Sequence, residues 1–143
     1  MPHPLSVDVE AALVAYLAPL LPGARVATTV PKTLRGDLVF TDSLVTVRRV
    51  GGPAASLVHD RPMVVVEGWH QDKTRAAQLV LDARGAMLDA YDTTVLIPPL
   101  STGDPTEKVF VSHHSETGGV ADYPDPRTDL YRYQFTHQMT VRR

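Results

Sequence analysis

The stretch TDLYRYQFTHQMTVRR (Thr128–Arg143) decides how this sequence is read. From Tyr131 onward one side carries Tyr131, Tyr133, Phe135, His137, Met139 and Val141. The other carries Arg132, Gln134, Thr136, Gln138, Thr140 and Arg142. A period of two held over a dozen residues is the signature of a strand, because successive side chains of extended backbone point to opposite faces. Strands commonly run about five or six residues. This one would extend about 40 Å at roughly 3.3 Å per residue, more than a small domain needs to close its core. Two explanations follow. Part of the strand projects and is met by another chain, since unpaired backbone groups are costly. Alternatively, a long, bent strand lines the protein's own sheet from end to end.

Working outward, the 143 residues suit one domain over 1–143, and 43% hydrophobic content suffices for a core. Charged residues make up 21% and the net charge is −2, so neither a basic nucleic-acid surface nor an acidic tail is indicated. No cysteine is present, which excludes disulfides, zinc–thiolate sites and thiol nucleophiles. The opening MPHPLSVDVE lacks a signal-peptide pattern, and ALVAYLAPLL is too short to span a bilayer, so a soluble protein is expected, with no membrane partner.

The first helix is expected from Ser6 to Ala18, capped by Ser6, with Asp8 and Glu10 favoured by the dipole and Pro19 as its stop. Its stripe is Val9, Leu13, Tyr16 and Leu17; the alanine side (Ala11, Ala15, Ala18) reflects either helix propensity or a closely approached surface. A short strand follows at Arg25–Val30. The polar Lys32 to Asp42 segment reads as an exposed loop. Leu44–Val50 is a strand released by Gly51-Gly52-Pro53.

MVVVEGW (Met63–Trp69) reads as a central strand buried on both faces. Asp72 caps a second helix from Lys73 to Ala90. Its apolar stripe is Ala76, Val80, Ala83, Met87 and Ala90, widened by Ala77, Leu81 and Leu88. Arg75, Gln78, Asp82, Gly85 and Asp89 form the polar stripe. Gly85 is either a tolerated blemish or a point of close approach by another chain. TTVLIPPL and VFVSHH are further strands, and SETGGVADYPDPRTD is expected to be a long connection. The class is therefore α+β: a single antiparallel or mixed sheet, with two main helices packed mostly on one face.

Catalytic patterns are weak. His113-His114-Ser115-Glu116 is the densest candidate metal cluster, but neighbours on a strand point apart. Asp122 and Asp125 have nothing nearby in sequence to raise a carboxylate pKa. Gly51-Gly52 and Gly118-Gly119 lack the context of a phosphate cradle, and no G-x-S-x-G elbow occurs. No cofactor is implied. Trp69 reads as a core plug or a binding platform.

Taken in order, VTVRRVGGP, MVVVEGWHQDKTRAAQLVLDARGAML and GGVADYPDPRTDLYRYQFTHQMTVR resemble the tail terminator (tail completion) proteins of long-tailed bacteriophages, roughly over Val26 to Arg142. The sharpest parts are Arg49–Gly52, the Trp69–Ala76 junction, and a prolyl loop before Arg132-Tyr133. Lys32 to Asp42 departs from the pattern, being longer and more polar. The resemblance implies a structural α+β protein, not an enzyme, assembled in the host bacterial cytoplasm into the virion tail. It implies a homo-oligomeric ring, usually a hexamer, that caps the tube and offers the surface joining tail to head. The partners so implied are the major tail tube protein and a head-completion or stopper protein, with DNA passing the channel unheld. Arg48, Arg49, Trp69, Arg132, Tyr133, Phe135 and Arg142 are the candidate subunit or partner interface, along with the loops Ser101 to Lys108 and Thr117 to Pro126. The competing readings are another head–tail connector, or a small metal-dependent hydrolase using His113, His114 and Glu116.

Overall fold

The computed structural model describes residues 9–30, 43–52, 59–90, 96–97, 109–124 and 130–142. Helix α1 spans Val9–Leu17 and passes into a single 3-10 turn, Ala18–Leu20. Strand β1 is Arg25–Ala27, β2 Leu44–Gly51 and β3 Met63–His70. Helix α2 is Lys73–Asp89, followed by β4 Leu96–Ile97, β5 Val109–Asp122 and β6 Tyr131–Arg142. The strands form one sheet in the order β1-β2-β3-β6-β5-β4, parallel between β1 and β2 and antiparallel elsewhere. This is the mixed α+β arrangement that the alternation of helix and strand periods predicts.

Pairing register puts Val45 and Val47 of β2, Val64 and Val66 of β3, and Phe135 of β6 on one face. Leu13 and Leu17 of α1 and Val80, Ala83 and Met87 of α2 pack into the same core cluster. Both helices thus cover that face. Gly68 explains how closely: a Cβ there would lie 3.1 Å from the Ala76 carbonyl oxygen and 3.2 Å from the Val80 nitrogen. The strand-to-helix junction needs glycine because backbone meets backbone. Asp72 caps α2 as expected, accepting from the Thr74 amide at 2.9 Å.

β3 is buried from Val64 through Trp69, as a central strand should be. The terminal strand does not project, however. β6 pairs with β3 from Tyr131 to Gln138 and with β5 from Tyr133 to Arg142, so both of its backbone edges are largely occupied. The partner that accounts for its length is β5. Most of the expected connection SETGGVADYPDPRTD is strand: β5 continues through Gly118 and Gly119 to Asp122. Three register shifts let it do so, between Val111 and His113, Glu116 and Gly118, and Gly118 and Ala121. Glycine and bulges weaken the alternation that sequence reading relies on. Of the interface loop Thr117 to Pro126, residues 117–122 accordingly belong to β5.

Smaller differences have local causes. β1 ends at Ala27, short of Val30. Pro19 sits inside the 3-10 turn, which tolerates it near the N-terminus. The apolar stripe of α2 is buried as read, but Leu81 and Leu88 are 48% and 40% exposed, and Leu79 and Ala86 pack against the core in their place. At 100° per residue Leu79 and Ala86 lie about 60–80° from the centre of the stripe, whereas Leu81 and Leu88 lie about 120–140° from it. On that nearer flank the Tyr16 hydroxyl of α1 donates to the Ala86 carbonyl at 2.7 Å. Ser6, Asp8, Lys32 to Asp42 and Ser101 to Lys108 lie outside the described residues.

Candidate interaction surface

The Arg-Val-Gly-Gly run at the end of β2 is a folding clamp. Arg49 donates through NH1 and NH2 to the two Asp60 carboxylate oxygens at 2.7 and 3.0 Å. It donates further to the carbonyls of Gly51 and Gly52 at 3.2 and 3.1 Å. Both glycines have positive φ, and a side chain at Gly52 would overlap the Arg61 carbonyl, with Met63 N 2.7 Å away. Asp60 exchanges backbone hydrogen bonds with Val141, and the Arg49 amide donates to Glu10 of α1 at 3.2 Å. Arg49 therefore ties together β2, the Asp60 segment, the end of β6 and α1 rather than standing ready for another chain.

On the sheet face away from the helices, buried Glu67 accepts from Arg132 NH1 at 3.2 Å and lies 3.6 Å from Arg48 NH2. Arg132 also donates to the Tyr123 carbonyl at 2.7 Å and lies 5.0 Å over the Trp69 ring. Trp69 is 4% exposed and its indole donates to Thr46 at 3.1 Å, so the core-plug reading holds. Phe135, 1% exposed, is among the largest fully buried side chains and offers no surface to a partner. Tyr133 is half-buried against the core. Arg142 pairs in register with Phe110. Among the members of the expected interface set whose side chains are described, Arg48 stands out as accessible, with a side chain 57% exposed.

Glu116 belongs to a cluster that the densest histidine group concealed. It accepts from Arg84 of α2 at 2.6 and 3.1 Å, and His137 Nε2 is 3.1 Å from the same Oε1 that receives Arg84 Nε. Arg84 foremost, then His137, hold its carboxyl down to about 2. Burial lowers the His137 pKa, so the neutral imidazole is favoured and its Nε2–H donates to Glu116. Glu116 is thus committed to α2 and β6. His113 and His114 pair in register with Thr140 and Met139. Among the described residues no group of three or more His, Cys, Asp or Glu could hold a metal ion. Asp122 lies at the end of β5, 3.7 Å from Lys73.

The polar stripe expected on α2, Arg75, Gln78, Asp82, Gly85 and Asp89, lines one feature on the outer side of the helix. There an open groove of about 910 Å³ runs between the helix and residues 20–24. Leu20, 50% exposed, and Leu81 flank it, with Gly85 between helical turns and, among the described residues, nothing within 4 Å of where its Cβ would stand. Among the described residues, Asp72, Asp82 and Asp89 line it against a single cation, Arg75. The polar stripe marked this side of the helix in the sequence; the groove itself needs residues 20–24, which are distant along the chain and were not foreseen. No described helix is long and apolar enough to cross a membrane.

Residues 5–143 match the protein family described as phage tail termination protein. A search among curated proteins found no match.

Proposed function

The chain belongs to the phage tail termination protein family, and from that membership we propose that it closes into a ring on the last ring of the tail tube. Its role is structural, in phage tail assembly. The ring, of six copies, stops tube polymerisation and presents the face to which the head-completion or stopper protein joins. The observation that carries this is the extent of the family match, which takes in nearly the whole chain.

The physical requirements are consistent with it. Ending a polymer needs one face complementary to the tube subunit and another offering no further tube site, and a compact sheet with both helices on one side has two chemically distinct faces. A ring removes the chain's exposed contact surfaces by closing on itself. The net charge of −2 suits a channel that lets DNA pass, because strong phosphate binding needs concentrated positive charge.

The test is to add purified protein to polymerising tail tube protein and measure tube length and end structure by electron microscopy. Tubes that stop growing and carry a cap at one end are expected. Tubes that elongate normally, with the protein bound instead to the portal side of heads, would replace the terminator reading with that of a head–tail connector.

A further inference from the structure

Resting on the ring reading above, we propose that successive copies join head to tail by seating the β2 corner of one, Arg48, Val50 and Arg61, in the α2 groove of the next. The groove is the first half of the contact. Its walls expose Leu20 and Leu81, and the glycine at position 85 leaves a notch in the helix surface that no atom of the described residues fills. A glycine inside a helix costs about 1 kcal/mol relative to alanine, and among the described residues nothing packs within 4 Å of its Cβ position to call for it. Among the described residues, three aspartates and one arginine leave the lining net acidic.

The second half is chemically opposite. Val50 is 47% exposed at the irregularity where β2 pairing shifts, two residues beyond Arg48. Arg61 is exposed at the same end of the sheet, next to the Gly51–Gly52 turn that packs on its carbonyl. An apolar knob between two cations thus matches an apolar notch rimmed by carboxylates. Arg48 retains reach, since its contact with Glu67 is long, at 3.6 Å, and Arg132 holds that carboxylate independently. Complementary charge of this kind sets orientation and partner choice.

Placement makes the contact directional. The groove opens beside Ser43, immediately before β2, while the corner lies at the strand's other end, about 25 Å away at roughly 3.3 Å per residue. Arg48 shares the face of Glu67, away from the helices, whereas the groove lies on the helix side. One copy can therefore engage two neighbours at once through different surfaces. Such heterologous contacts generate rings when the rotation closes.

Two charge-reversed full-length proteins test this. The first carries Asp82→Arg with Asp89→Arg; the second carries Arg48→Glu with Arg61→Glu. Their folding is checked by Trp69 fluorescence, and Arg61→Glu alone, which leaves the Glu67 contacts intact, serves if the second unfolds. Light scattering and images of capped tubes report the ring. Each variant alone should lose the ring, because its groove and corner then carry like charge. An equimolar mixture should recover it, since every groove of one variant matches a corner of the other in an alternating, even-numbered ring. A ring that persists in either variant, or a mixture of folded variants that stays unassembled, overturns this contact and leaves the ring reading standing. A wild type that forms no ring in solution or on tubes sinks that reading and the contact with it.

Discussion

Replacing Asp60 by alanine should destabilise the fold by about 2–3 kcal/mol. The Asp60 side chain is 6% exposed and receives two short hydrogen bonds from a guanidinium that is itself 29% exposed. Removing one member of a fully buried ion pair costs roughly 3–5 kcal/mol, chiefly by stranding the other charge. Arg49 is not fully stranded: water reaches it, and the Gly51 and Gly52 carbonyls still accept its protons. Those two facts lower the figure to the range given. The backbone bridge from Asp60 to Val141 survives the substitution, so the sheet's outline should persist. Urea unfolding followed by the fluorescence of Trp69, the sole tryptophan, would give the loss. A cycle with Arg49→Met should recover a coupling of at least about 1.5 kcal/mol, the lower bound for a charge-assisted bond. A loss below about 0.5 kcal/mol, the noise of surface substitutions, or strictly additive single changes, would refute the clamp.

Gly52→Ala should cost at least about 2 kcal/mol through strain at its positive φ and collision with the Arg61 carbonyl, whereas Gly85→Ala should raise monomer stability by up to about 1 kcal/mol; thermal melts of the two read the contrast. Phe135→Ala should lower stability by about 3–5 kcal/mol, and a Phe135→Ala protein of native stability would return that residue to the surface. Acid should destabilise in two stages. His137, with its pKa lowered in the fold, begins to withdraw stability as pH falls below 6.5, where the unfolded chain takes up a proton that the fold resists. Glu116, held at about 2, withdraws its share between about 4.5 and about 2. Allowing for solvent at this pair, that share is about 1 kcal/mol. In stability curves against pH, Glu116→Gln should flatten the lower stage and deepen the upper one, because the carboxylate that partly offsets burial at His137 is gone; an unchanged lower stage would remove Glu116 from the account.

Cutting the chain after Phe135 illustrates why topology matters to experimental design. On the assumption of a projecting strand it would open a ring. Since β6 lies between β3 and β5 and supplies buried Met139 and Val141, it would instead dismantle the core.

What the sequence by itself determined is what local periodicity encodes. The long alternation of β6, the doubly buried run of β3, the Asp72 cap and the 76-80-83-87 stripe of α2 each follow from repeats of 2 or 3.6 residues, and all stand in the fold. The order of its motifs also carried the family resemblance. Tertiary structure alone decided which strand neighbours which, because register depends on residues distant in sequence: Arg49 finds Asp60, Glu67 finds Arg132, and Glu116 finds Arg84 and His137. It also decided what meets the near flank of that stripe, where the Tyr16 hydroxyl of α1 reaches the Ala86 carbonyl. Periodicity says which residues share a side; only packing says what that side meets.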